Sequence, residues 1–177
     1  HFGDVLDKFR RADDQAVIYS DVLEYIDREN EIAEGLEYER KLLAKLRGGQ
    51  NPLDGVLKTK LLPYQTLGAI FAACRGRVVL ADDMGLGKTV QALAAAELLR
   101  RRRGIEKVLV VAPASVKYQW KTEIEKFSNL SAQVIDGPLP RRRQLYASPA
   151  FFNLTSYELV LKDVSYIHEL KPDLIIL

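Results

Sequence analysis

Hydrophobic positions along the chain repeat with two different periods, and the change falls near residue 50. From Asp13 to Leu46 the spacing is helical: Val22 with Ile26, Ile32 with Leu36, then Leu42, Leu43 and Leu46, set among many charges. Gly35 is a candidate interruption of that helix. Gly48-Gly49-Gln50-Asn51-Pro52 then reads as a helix stop and a linker. Beyond it, helix-like and strand-like stretches alternate. Residues 63–74 open with Pro63 at a first-turn position and predict a helix. Arg77–Ala81 is a short β-branched run and predicts a buried strand. Residues 88–103 carry one apolar stripe of Val90, Leu93, Ala94 and Leu98, and Gly104 suits the helix stop. Lys107–Ala112 predicts a second strand, ended by Pro113. Val116, Trp120, Ile124 and Phe127 share one helical face, which makes Trp120 and Phe127 core residues. Strands near Gln133–Ile135 and Phe151–Thr155, a helix over Glu158–Leu170 and a strand over Leu174–Leu177 complete the pattern.

Apolar strands alternating with helices imply an α/β fold, a parallel sheet covered on both faces, preceded by a helical extension. In such folds ligands bind at the carboxyl ends of the strands. The division expected is 1–50 as the extension and 55–177 as the α/β lobe.

With 177 residues, 47% hydrophobic and 28% charged, composition excludes disorder, collagen and coiled coil. No apolar stretch approaches the roughly 20 residues of a membrane helix, and the charged opening lacks a secretory h-region. Cys74 is the single cysteine, and His1 and His168 lie far apart, so no Cys/His metal cluster is expected and a reducing compartment is favoured. Residues 1–50 carry a net charge of −4 and residues 51–177 a net of +6, which divides an acidic front from a basic body. A first residue other than Met and an apolar end, PDLIIL, are expected of a piece of a longer chain.

The segment Ala81-Asp82-Asp83-Met84-Gly85-Leu86-Gly87-Lys88-Thr89 lies between an expected strand and an expected helix. Backbone N–H groups turned inward by Gly85 and Gly87, aimed along a helix N-terminus, suit a polyphosphate. Lys88 would reach the β/γ-phosphates and Thr89 would place its hydroxyl on Mg²⁺. The strict G-x-x-x-x-G-K-[ST] form is not met, because Asp82 stands at its first Gly. Asp82 and Asp83 beside a triphosphate leave three roles open: capping the helix, holding Mg²⁺ through water, or positioning Lys88. Arg100–Arg103 reads as solvated surface, and Arg141–Arg143, in a loop after Gly-Pro-Leu-Pro, as surface or nucleic-acid contact.

Three further segments accompany this loop: Leu61-Leu62-Pro63-Tyr64-Gln65, with Gln65 lying 23 residues before Lys88, then Val111–Phe127, then Leu154–Leu159. In this order and spacing they resemble the Q-type motif, motif I, motif Ia and motif Ib of the Swi/Snf family of superfamily 2 helicase-like ATPases. The resemblance covers about 55–177 and implies the first RecA-like P-loop lobe of an ATPase that translocates on double-stranded DNA and remodels protein–DNA complexes. It implies ATP and Mg²⁺ as cofactors, with Gln65, Asp83, Met84, Gly85, Leu86, Gly87, Lys88 and Thr89 at the nucleotide, Lys88 and Thr89 catalytic, and Thr89 on the metal. Pro113, Ser115, Lys117, Thr155 and Ser156 would touch the nucleic-acid backbone. Duplex DNA, and possible DNA-bound proteins, are the implied partners of a monomer in the nucleus, or in the cytoplasm at a nucleoid.

In the family the strand at Asp173–Leu177 runs into an acidic D-E-x-x box that holds Mg²⁺. Here the chain stops at Leu177, and the arginine finger and second lobe are missing too. The 177 residues alone are therefore expected to bind nucleotide weakly and scarcely hydrolyse it. An RNA helicase lobe of the same superfamily and a catalytically inactive nucleotide- or DNA-binding adaptor are the alternatives.

Overall fold

The computed structural model describes Lys8 and residues 19–177; the Asp13–Ile18 part of the expected first helix lies outside the described residues. Helix α1 spans Ser20–Arg47, α2 Pro63–Cys74 and α3 Lys88–Arg103. Strand β1 (Val108–Ala112) follows, then α4 (Lys117–Phe127), β2 (Ala132–Val134), α5 (Leu139–Ala147), β3 (Phe152–Ser156), α6 (Tyr157–Lys162), α7 (Val164–Leu170) and β4 (Leu174–Ile176). The four strands form one parallel sheet in the order β2-β3-β1-β4.

Parallel strands require crossovers, and the crossovers cover both faces. On one face Val108 and Val110 of β1 and Phe152 and Leu154 of β3 pack with Leu93, Ala94 and Leu98 of α3, Ile124 of α4 and Ile70 of α2. Leu109 and Val111 point the other way, onto Ile135, Tyr146 of α5 and Leu170 of α7. Every residue of β1 and β3 is buried, because both strands are interior to the sheet and covered on both sides. Trp120 and Phe127 join the first of these cores.

Four expectations need correction. Gly35 does not interrupt α1: the helix runs through it, and a Cβ there would collide with the Cys74 carbonyl oxygen, so the glycine lets α1 lie against the end of α2. Arg77–Ala81 is not a strand. Residues 78–81 carry no ladder, and Val79 is 83% exposed. A β-branched run reports only a fit to a pleated, half-buried surface, and among the described residues no neighbouring strand supplies one. The expected helix over Glu158–Leu170 is broken in two at Asp163, whose carboxylate is turned inward. Finally, Arg141–Arg143 lies within helix α5 rather than in a loop.

The second half of α1 is fastened to the lobe. Leu42 enters the main core, Glu39 pairs with Arg75 at 2.7 Å, and Arg102 stacks 4.5 Å from the Tyr38 ring. Arg100 and Arg101 both pair with Glu97 on their own helix. Arg100, Arg101 and Arg103 are exposed, as expected of the arginine run, and the run also braces α3 and links it to α1.

Candidate functional site

Helix α3 begins where a chain rich in helix formers (Ala92, Leu93, Ala94, Ala95, Ala96) meets Gly87, which takes φ +75° as its N-cap. Gly85, at φ +85°, makes the other left-handed turn of the loop. A side chain at Gly85 would meet nothing within 4 Å, so the space beside that turn is open. The Lys88 ammonium donates to the main-chain oxygens of Asp82 at 2.7 Å and Asp83 at 2.9 Å. Of the three roles open to the two aspartates, positioning Lys88 is the one seen, and their backbone performs it. Thr89, in the first turn of α3, is half-buried; Met84 is 96% exposed and Leu86 partly so.

A loop of this kind, with exposed backbone, a cation held on exchangeable carbonyls and the N-terminus of a four-turn helix, has the room and the charge for a polyphosphate. Asp82–Leu86 are all exposed to solvent, so an anion can approach without moving the core. Among the described residues no cluster of His, Cys, Asp and Glu could hold a metal unaided. A divalent ion here would depend on the Thr89 hydroxyl and on phosphate oxygens.

Gln65 is brought to this loop from α2. Its Oε1 accepts from the Leu62 N–H at 3.0 Å, closing the first turn of α2, while its Nε2 donates to the Leu86 carbonyl at 3.2 Å. The Tyr64 hydroxyl donates to the same carbonyl at 3.1 Å. A Cβ on Gly87 would lie 2.6 Å from Gln65 Nε2. The structure therefore brings Gln65 together with Leu86, Gly87 and Lys88, although its amide is engaged in the helix start and the loop rather than free.

The expected nucleic-acid contacts divide differently. Register pairs Ala112 of β1 with Ser156 of β3, so Pro113–Ser115 and Thr155–Ser156 lie at one end of the sheet. Pro113 and Ser115 are exposed there. Lys117, Thr155 and Ser156 are not: they are 3%, 0% and 3% exposed. The Lys117 ammonium lies 3.2 Å from Asp136 Oδ2, so a buried cation is neutralised by a partly exposed carboxylate and is not offered to a phosphate. Thr155 is sealed because β3 is an interior strand, and Ser156 because α6 starts directly upon it. Asp136, which also caps the Gly137 N–H at 2.7 Å, has its carboxyl held below the usual aspartate range by that N–H and then by Lys117.

Arg142 points inward as well. Its guanidinium donates to both oxygens of Asp163, each at 2.7 Å, and to the Gly137 carbonyl at 2.7 Å. Asp163 is fully buried, and the Tyr146 hydroxyl donates to it at 3.4 Å. Burial is the main reason the Tyr146 phenol is pushed up to about 12. Sequence reasoning missed this knot, and it also missed Gln91, whose amide donates to Asp82 Oδ2 at 2.6 Å. The available signal for Gln91 was one polar residue inside the apolar run Val90–Ala96.

Against known proteins, residues 26–177 match the family described as the SNF2-related domain. The chain is 47% identical over 76 residues to the mouse DNA annealing helicase and endonuclease ZRANB3, which covers 42% of this chain and 7% of that protein. It is 49% identical over 76 residues to the Caenorhabditis elegans homolog of SWI/SNF-related matrix-associated actin-dependent regulator of chromatin subfamily A-like protein 1, covering 42% of this chain and 11% of the relative. Among solved structures, the Sulfolobus solfataricus SWI2/SNF2 ATPase core in complex with dsDNA superimposes with a TM-score of 0.55 and 32% identity, over 62% of this chain and 24% of that one. The matches thus span about a tenth or less of each curated relative and about a quarter of the solved core.

Proposed function

Since the chain belongs to the SNF2-related domain family, we propose that it is the nucleotide-binding part of the first RecA-like lobe of a DNA-dependent ATPase. The observation that carries this reading is the Lys88 ammonium held at the start of α3 by two carbonyls of a glycine-turned loop, with Gln65 leaning over that loop from α2. Backbone N–H groups around Gly85–Gly87 would surround a β-phosphate, Lys88 would exchange its carbonyl partners for phosphate oxygens, and the Thr89 hydroxyl would ligate Mg²⁺. Gln65 would meet the adenine edge, where an amide both donates and accepts. ATP with Mg²⁺ supplies the transferable phosphoryl group. Asp83, Met84 and Leu86 form the outer wall of the same loop.

Residues 55–177 are read as the lobe, and the helix within 1–50 as a brace fixed to it through Leu42, Glu39 and Tyr38. Pro113 and Ser115 are the surviving candidates for backbone contact with duplex DNA, since they are exposed at the carboxyl end of β1. Translocation on duplex DNA in the nucleus or nucleoid would be an activity of the longer protein. No helix among the described residues is long and apolar enough to cross a membrane. The isolated 177 residues would bind nucleotide weakly without sustaining turnover.

In the full-length protein, Lys88→Ala is expected to abolish duplex-DNA-stimulated ATP hydrolysis, measured as phosphate release. Retained turnover would refute the site, and stimulation by RNA rather than duplex DNA would favour an RNA helicase.

A further inference from the structure

Gln91 sits in the first turns of α3 and is fully buried. Its Nε2 donates to Asp82 Oδ2 at 2.6 Å, while its Oε1 has no hydrogen-bond partner. That oxygen faces Gly68 of α2, where a Cβ would collide with it. A buried carbonyl without a donor is destabilising, and an apolar side chain of the same shape would pack between α2 and α3 without that penalty. Packing therefore does not account for a glutamine at this position, and its other end, on Asp82, does.

Asp82 is the residue whose backbone carbonyl holds Lys88. Its carboxylate stands in an exposed loop close in sequence to that ammonium. Left free, the carboxylate would be drawn to Lys88 and would oppose a triphosphate by like charge. Pinned by Gln91, it is tied to α3, and the ammonium is held by neutral carbonyls alone.

We propose that Gln91 is a positioning residue that clamps the Asp82 carboxylate away from the phosphate space, leaving Lys88 on two carbonyls from which a triphosphate can take it. The proposal rests on the nucleotide reading above and adds to it a link between α3 and the loop, beside that of Gln65 from α2.

The test is titration of the full-length protein with mant-ATP, with Gln91→Leu, Asp82→Ala and the double variant beside the wild type. Gln91→Leu should weaken binding on the order of tenfold, the scale of one lost charge-assisted hydrogen bond. Asp82→Ala should bind at least as well as the wild type, and the double variant should return to its affinity, since the repelling charge is gone. Wild-type affinity in Gln91→Leu, or a double variant as weak as Gln91→Leu, would overturn the clamp. A purely structural role predicts no rescue by Asp82→Ala.

Should Gln91→Leu fail to fold, the surface variant Asp82→Ala still decides. Hydrogen exchange of the Gln91 side-chain amide, followed by NMR, should be slow in the wild type and fast in that variant. Slow exchange in both overturns the clamp in a protein that binds mant-ATP. A wild type that binds no mant-ATP while this exchange remains Asp82-dependent sinks the nucleotide reading instead.

Discussion

The Asp82–Lys88 loop and the carboxyl ends of β1 and β3 were both expected to meet ligands, yet their polar groups are arranged in opposite ways. Around the loop, Asp82–Leu86 are exposed, a lysine is held on main-chain carbonyls, and Gly85 opens on empty space. At the strand ends, Lys117 is buried on Asp136, Arg142 on Asp163, and Thr155 and Ser156 lie inside the fold. Cations of the first kind can exchange partners at little cost. Arg142 cannot, because breaking its buried pair with Asp163 leaves an uncompensated charge, and the Lys117 ammonium is itself sealed from solvent.

The sharpest way to test that contrast is to remove one carboxylate from each region. Asp163→Ala strands a guanidinium that is 10% exposed and should lower stability by about 3–5 kcal/mol, read from the midpoint of urea unfolding. Asp83→Ala, in the exposed loop, should stay within about 0.5 kcal/mol of the wild type. Equal losses would erase the distinction.

Gly87→Ala probes the loop from within. The left-handed φ of +75° alone should cost about 1–2 kcal/mol, and the new Cβ must displace Gln65 Nε2, 2.6 Å away. Weaker mant-ATP binding should accompany the smaller unfolding midpoint; unchanged affinity would separate Gln65 from the nucleotide.

Acid should weaken the fold from both ends of the sheet, through carboxylates held by main-chain N–H groups. Asp136 titrates below the ordinary range, first because of the Gly137 N–H, and Asp173 does so first because of the Glu106 N–H. A depressed folded pKa stabilises fully above the unfolded value, near pH 4, and the contribution is lost as pH falls through the lowered folded value. Urea midpoints measured from pH 6 down to pH 2.5 should therefore fall below about pH 4, with a shallower slope in Asp136→Asn.

The smallest effect is expected from Ser115→Ala. Loss of one exposed hydroxyl should weaken duplex-DNA binding by the full-length protein roughly two- to tenfold in a fluorescence anisotropy titration, with the salt slope unchanged because no charge is removed. Lys117→Met should instead alter stability and leave that affinity near the wild type.

Much of this was legible in the residue pattern. The helical period located α2, α3 and α4, and short apolar runs located β1 to β4, to within about a residue, because a buried element's own sequence must supply its apolar surface. Gly85, Gly87 and Lys88 were readable for a similar reason: left-handed turns and a helix start are local requirements. Gln91 was readable only as an oddity in an apolar run.

Arg77–Ala81 has the composition of a strand but no neighbour, and pairing is a property of two segments. Lys117 and Arg142 look like surface cations until Asp136 and Asp163 are brought against them from 19 and 21 residues away. By itself the sequence determined α2, α3 and α4, the strands of the sheet and the glycine-lysine turn, all set by forces acting within a few residues. Which charges are sealed and which remain open to a ligand was decided by the tertiary structure, because desolvation depends on what the fold packs over a group.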